Sequence, residues 1–365
     1  MTAERTAEAG ARDVRTALAA WLDRRLADDG GSDVTIGELT SPDAGYSGKT
    51  LFVPATWTDR HGVRRSAELV VRVQQSDHQL FVAPDALRQA RTMAALAGAP
   101  GVPVPEILYT ESDDAVLGAP FYVMVRVHGR VPGDIPSWHA RGWTVELPPA
   151  ERTRMYDNGL AALVALHRVP LTTDLEFLAE PGEGTALDRY LTRLEGWYEW
   201  CGPSRRFGPE TLAEGLAYLL DSRPDDPAEG VVWGDARPGN ISFGDDLSVV
   251  ALFDWETATT GPPGIDLGWW LFFERVLCEA QGLERLAGVP DREGTIARYV
   301  ALGGADQPHV AYYELMAAVV MTLISSRLAD VLVAGGKAPE KYASVFPMRA
   351  VGQVRESLDR LQRPS

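Results

Sequence analysis

The hydrophobic period of this chain changes once, and that change limits the folds open to it. Up to about residue 127, apolar residues gather in short strand-like runs at 34–40, 50–57 and 67–74, after "VPVPEILYT", and at 120–129. Two helical segments interrupt them. "RDVRTALAAWLDRRLA" at 12–27 places Val14, Leu18, Trp21 and Leu22 on one face, and a second segment at 83–98 starts at Pro84-Asp85 and stops at Gly98. A Pro/Gly-containing stretch follows Gly129. From Pro148 the period is helical, over 149–168, 185–200, 209–222, 263–282, 291–302 and 308–334. The one interruption, 230–256, reads as two short apolar strands around a polar loop. Strands first and helices second predict an α+β chain of two lobes, residues 1–127 and 128–365, with a cleft between them.

Composition narrows the function classes. The net charge of −16 disfavours nucleic acid and anionic membrane as partners. Cys201 and Cys278 are the only cysteines, too few for a disulfide framework, which suits a reducing cytoplasm. The charged start "MTAERTAEAGARDVR" lacks the apolar core of a signal peptide, so a cytoplasmic location is expected. The most apolar helix segment, "AAVVMTLISS", lies between Glu314 and Arg327 and reads as a buried helix.

"SPDAGYSGKT" at 41–50 ends like a Walker A motif, but the required earlier glycine falls on Asp43. The following "LFVPATWTDRHG" is strand-like, whereas a Walker loop opens a helix. A glycine-containing turn between two strands remains.

The chemistry concentrates in "VVWGDARPGNISFGDDLSVVALFDWE", 231–256. An apolar strand end leads to Asp235, Asn240 follows five residues later, and a second strand ends at Asp254. Carboxylate and amide oxygens are hard ligands that suit Mg²⁺. Phosphoryl transfer needs a carboxylate for the acceptor hydroxyl, oxygen ligands for metal, and cations on the phosphates. Arg237, two residues past Asp235, is placed to be such a cation.

"D-A-R-P-G-N" and "FDWETATTGPPGIDLGWW" resemble the catalytic and metal segments of the aminoglycoside phosphotransferase-like family, which has a protein-kinase-like fold. Within it, the chain is closest to the members with a W-G-D-A-R-x-G-N loop and an Arg in the third strand. The resemblance covers roughly residues 30–335. It implies a small antiparallel-sheet N-lobe that binds nucleotide and a mostly helical C-lobe that holds the catalytic loop and acceptor pocket. By position, Asp235 resembles the catalytic base, and Asn240 and Asp254 resemble the Mg²⁺ ligands. Gly45, Tyr46, Ser47 and Gly48 resemble the loop over the phosphates. Met124 resembles the residue behind the adenine pocket, and Val125 to Val127 the hinge. Asp266 corresponds to a helix aspartate that braces the catalytic loop.

Three positions depart from the family pattern. Trp233 stands for the loop histidine, where packing is expected to replace its bracing. Arg72 stands for the third-strand lysine, and Gln89 for the helix glutamate that would pair with it. An Arg–Gln contact is a hydrogen bond without opposite charge. Arg72 is expected to point toward the phosphates and Gln89, because Val71 and Val73 look like core on the opposite face. His167 reads as a packed or capping residue, and Glu274 and Glu279 as solvated charges. The expected function is Mg²⁺-dependent transfer of the γ-phosphoryl of ATP or GTP to a hydroxyl of a small molecule, such as an aminoglycoside or other antibiotic or metabolite. The alternatives are a nucleotide-binding pseudokinase scaffold and a kinase of a hydroxyacyl-CoA-type metabolite.

Overall fold

The computed structural model describes residues 2–41, 48–75 and 79–362. The chain divides into two units: residues 1–79, 83–94 and 105–127 form one, and residues 80–82, 95–104 and 128–365 the other.

The first unit is built on helix α1 (Thr2–Asp28) and strands β1 (Ser32–Ile36), β2 (Gly48–Thr58), β3 (Arg64–Gln74), β4 (Ile107–Glu111) and β5 (Phe121–Val125). The strands form one antiparallel sheet in the order β1-β2-β3-β5-β4. Helix α2 (Ala86–Leu96) starts where Gln74 Oε1 accepts the Ala86 N–H at 3.1 Å. Successive strand side chains alternate between faces. Leu51, Val53, Leu69, Val71, Val73, Phe121 and Val123 therefore form one apolar face, buried against Leu18, Trp21 and Leu22 of α1. The α1–β4 contact has a polar anchor: Trp21 Nε1 and Arg25 donate to Glu111 Oε2 at 2.6 and 2.9 Å. The Asp113 N–H, Trp21 and Arg25 hold the Glu111 carboxyl at a pKa of about 2.

The second unit contains α3 (Trp143–Glu146), α4 (Pro149–His167), α5 (Ala186–Cys201), α6 (Pro209–Asp221), β6 (Gly230–Val232), β7 (Ile241–Phe243), β8 (Val249–Leu252) and β9 (Thr259–Gly261). It continues with α7 (Gly264–Leu277), α8 (Arg292–Ala301), α9 (Val310–Ala334), α10 (Glu340–Ala343) and α11 (Val345–Gln362). Local chemistry sets the helix starts. Thr185 and Asp188 form a reciprocal capping box at α5, and Asp291 accepts the Gly294 N–H at α8. The core helix is α9, which packs against α6, α7 and α11. It is long and apolar enough to cross a membrane, but 67% of its most apolar stretch is buried inside the protein. Leu315, Val319 and Leu323 are wholly buried, so truncating one to Ala would cost about 2–5 kcal/mol.

Several elements differ from the sequence expectation. Segment 230–256 is not one strand pair: β6 pairs with β9, and β7 with β8. The strand expected to reach Asp254 ends at Leu252, because Asp254 takes a left-handed backbone with φ 63°. Helix α7 stops at Leu277, where Cys278 leaves helical geometry at φ −124° and ψ −91°. The strand expected over 120–129 ends at Val125, and α10 and α11 extend the helical series beyond residue 334.

Candidate active site

The loop after β6 is the best organised polar cluster of the second unit. Asp266, on the first turn of α7, is fully buried, and its carboxylate accepts the backbone N–H groups of Trp233 and Gly234 at 2.7 and 2.8 Å. His167 Nε2 lies 3.1 Å from Asp266 Oδ2, and His167 Nδ1 lies 2.7 Å from the Tyr299 hydroxyl. The carboxylate thus fixes the backbone just ahead of Asp235, and His167 and Tyr299 fix the carboxylate. His167 packs as the sequence suggested and also belongs to this brace. Gly234 sits at φ 88°, where a Cβ would come within 2.5 Å of Thr257.

Three donors converge on Asp235. Arg237 Nε reaches Oδ1 at 2.8 Å, Trp269 Nε1 reaches Oδ1 at 2.7 Å, and Asn240 Nδ2 reaches Oδ2 at 2.6 Å. Asn240 Nδ2 also donates to the Asp235 backbone carbonyl at 2.9 Å. Arg237 is ion-paired with Asp134 as well and lies 5.0 Å from the centre of the Phe273 ring. Burial opposes the Arg237 charge, but the fields of Asp235, Asp134 and Asp254 outweigh it and raise its pKa. Burial raises the Asp134 carboxyl, with Arg237 pulling it back. A Cβ on Gly239 would come within 2.4 Å of both Arg237 and Asp134, so a larger residue there would displace this side-chain pair. Arg237, expected as a phosphate cation, is instead engaged with two carboxylates.

Asn240 and Asp254 flank the open end of the β7–β8 hairpin. Ile241 pairs with Leu252, and the Phe253 N–H continues the ladder to the Asn240 carbonyl at 2.9 Å. Trp233 is fully buried, its ring centre 5.5 Å from that of Trp255, and its Nε1 donates to the Phe253 carbonyl at 2.8 Å. Trp233 therefore packs, as expected, and also ties the loop after β6 to the residue before Asp254. Because the Asn240 nitrogen is engaged with Asp235, its Oδ1 is left as an acceptor. An amide oxygen and a carboxylate at one hairpin end fit a hard divalent cation. Among the described residues, no cluster of three or more His, Cys, Asp or Glu side chains has metal-site geometry.

In the first unit, Arg72, Thr50 and Tyr122 sit in register on the sheet face opposite α1. Arg72 donates to Thr50 Oγ1 at 2.8 Å, and the Tyr122 hydroxyl donates to Gln89 Oε1 at 3.4 Å. Tyr122 is thus the cross-strand neighbour of Arg72 and the hydrogen-bond partner of Gln89. Met124 and Val125, at the end of β5, and Val127 beyond it are half-buried. The Val125 N–H is bonded to the Glu106 carbonyl at 2.9 Å, and among the described residues no acceptor takes the Val127 N–H. Gly48 opens β2, whereas Gly45, Tyr46 and Ser47 lie outside the described residues.

The structure thus places Asp235, Arg237, Asn240 and Asp254 in one unit, and Arg72, Gln89, Met124, Val125 and Val127 in the other. Sequence reasoning missed Trp269 and Asp134. Trp269 had a signal, because it follows Asp266 by three positions and shares its helix face. Asp134 had none, since it lies in an irregular stretch 103 residues from its partner.

Residues 49–302 match the family described as the phosphotransferase enzyme family. Acyl-CoA dehydrogenase family member 11 of Rattus norvegicus is 27% identical over 304 residues, which are 80% of this chain. This chain spans only 36% of that relative's length. A solved structure from Ralstonia eutropha JMP134, described as an aminoglycoside phosphotransferase, aligns with a TM-score of 0.66 at 22% identity, over 93% of this chain and 98% of that one. A thermostable mutant of aminoglycoside phosphotransferase APH(4)-Ia, in ternary complex with ADP and hygromycin B, aligns with a TM-score of 0.55 at 16% identity, over 92% and 97%. At these identities the structural likeness shows the fold, which is the two-lobed, protein-kinase-like α+β architecture.

Proposed function

Because this chain belongs to the phosphotransferase enzyme family, we propose that it transfers the γ-phosphoryl group of ATP or GTP to a hydroxyl of a small molecule. The observation that carries this reading is the Asp235 carboxylate, held by Arg237, Trp269 and Asn240 beside the Asn240–Asp254 pair. Three donors orient the carboxylate and leave it lone pairs to take the proton of an acceptor hydroxyl. That nucleotide and acceptor bind together is supported by the relative that holds ADP and hygromycin B.

Asn240 Oδ1 and the Asp254 carboxylate would hold Mg²⁺, which when bound neutralises charge on the phosphates. Arg72 would supply a planar, permanent cation to the same phosphates. Met124 would back the adenine, with the Val125 carbonyl and the Val127 N–H available to its edge. Gly45 to Gly48 would cover the phosphates. Arg237 would act indirectly, by keeping Asp235 in place.

A second acceptor class is favoured by one observation. The rat relative is named for acyl-CoA dehydrogenation, which points to hydroxyacyl thioesters beside aminoglycoside-like alcohols. The test is nucleotide turnover by the full chain with Mg²⁺ over a panel holding both classes, read as acceptor-dependent ADP or GDP release and a phosphorylated product in mass spectra. Acceptor-independent turnover, or nucleotide binding with no product from any alcohol, would favour a nucleotide-binding scaffold instead.

A further inference from the structure

A cavity of about 120 Å³ lies in the second unit among α7, α8, α9 and α11, apart from the Asp235 loop. Its wall holds four arginines and three glutamates: Arg275, Arg285, Arg292 and Arg360 with Glu274, Glu279 and Glu314. Most of these charges are matched. Arg285 binds Glu274 at 2.9 Å and Glu279 at 2.5 Å, and Arg292 donates twice to Glu314 Oε2, at 2.9 and 2.6 Å.

Arg275 is the unmatched charge. Among the described residues, no carboxylate oxygen lies within ion-pair distance of it. Its one side-chain bond is to Ser357 Oγ at 3.2 Å, and its Nε is buried without a partner. Glu314 and Glu356 act on it only at longer range, and burial pulls the guanidinium below its ordinary pKa. Arg360 donates to the same Ser357 Oγ at 3.2 Å, and its nearest carboxylate is Glu314 at 3.8 Å. Two guanidinium groups thus converge on one neutral hydroxyl. A buried cation without a counter-charge is expensive to maintain.

The same wall holds an orphan of the opposite kind. Glu274 is 2% exposed; its Oε2 is engaged by Arg285 and lies 3.4 Å from the Nε2 of buried His139, while its Oε1 has no donor. A ligand that suits all these groups must carry negative oxygens for Arg275 and Arg360 and a hydroxyl proton for Glu274. It must also be small enough for the cavity. Hydrogenphosphate has this combination, whereas sulfate and chloride lack the proton.

We propose that this cavity is a binding site for hydrogenphosphate, free or as a monoester, held by Arg275 and Arg360 and selected by the Glu274 carboxylate. Ligand there would join α7 to α11. Helix α7 also carries Asp266, Trp269 and Phe273, so the site is mechanically continuous with the Asp235 loop.

The test is thermal unfolding of the full chain at fixed ionic strength, titrated with sodium phosphate, sodium sulfate or sodium chloride. Phosphate at about ten times its Kd should raise Tm saturably by about 2–4 °C, and sulfate and chloride should not. The gain should vanish in Arg275→Met and shrink in Arg360→Gln, a variant at an exposed position that keeps the test open if Arg275→Met fails to fold. It should persist in Arg72→Ala, which separates this cavity from the phosphate position of the nucleotide. Phenyl phosphate, whose ring must stay outside the cavity at Arg360, distinguishes the sources: a gain from phosphate alone assigns free phosphate, and a gain from both assigns a monoester. Equal gains from sulfate and phosphate, or a phosphate gain unchanged in both Arg275→Met and Arg360→Gln, would overturn the proposal.

Discussion

Trp269 donates its indole N–H to Asp235 Oδ1 at 2.7 Å, so the carboxylate assigned as base is held by a residue of the helix that also braces its loop. Trp269→Phe keeps the ring and removes the donor. A hydrogen bond to a charged group contributes about 1.5–3 kcal/mol, so kcat should fall about 10- to 100-fold with little change in nucleotide KM. Steady-state kinetics check this. An unchanged kcat would mean that Arg237 and Asn240 suffice to orient Asp235.

Asp266 is a stability element as well as a brace. Asp266→Asn would turn one carboxylate oxygen into an N–H donor facing Trp233 N, Gly234 N or His167. Leaving buried donors unpaired should lower unfolding stability by about 3 kcal/mol or more. Urea unfolding measures it, and a loss below about 1 kcal/mol would show that the loop backbone holds without the carboxylate.

The Glu111 anchor gives a pH dependence with a definite sign. Its folded pKa of about 2 lies below the ordinary glutamate value of 4.5, chiefly through the Asp113 N–H. A depressed carboxyl stabilises the fold above the unfolded pKa, and that contribution is lost as pH falls through the folded one. The Tm difference between wild type and Glu111→Gln should therefore be full at pH 6 and shrink between about pH 4.5 and pH 2. A difference independent of pH over that window would contradict the assignment. The effect is modest, because surface ion pairs contribute little.

Arg72 is the phosphate cation of the first unit in this account. Arg72→Ala should raise nucleotide KM and lower turnover, together costing about 10- to 100-fold in kcat/KM. Arg72→Lys should recover only part, since a point charge does not reproduce the planar fork. Lys49→Ala, at an exposed position on β2, should change little. The reverse pattern, a crippled Lys49→Ala beside an unaffected Arg72→Ala, would transfer the role to the glycine turn.

Much of this was legible in the sequence, for identifiable physical reasons. Val71 and Val73 flank Arg72 in a strand, and strict alternation put them in the core and Arg72 on the other face. Asp235, Asn240 and Asp254 lie within twenty residues on one strand–loop–strand unit, so spacing alone brought them close. The β6–β9 pairing was not legible, because three-residue strands are too short to show a period. Nor was Glu274, read as solvated: its burial depends on Arg285, which comes from an irregular segment after α7. Trp233 resembled packing only, and its bond to the Phe253 carbonyl depends on where the hairpin ends.

The central claim is that Asp235 is the base of a phosphoryl transfer whose nucleotide binds independently of it. Asp235→Asn measures this most directly, with turnover and nucleotide affinity determined on the same folded sample. The account predicts turnover reduced by about 10²-fold or more while nucleotide Kd stays within about threefold of wild type. In Asp254→Ala, by contrast, Mg²⁺-nucleotide affinity should fall together with turnover. Turnover in Asp235→Asn within about tenfold of wild type would contradict the account and remove Asp235 from the reaction.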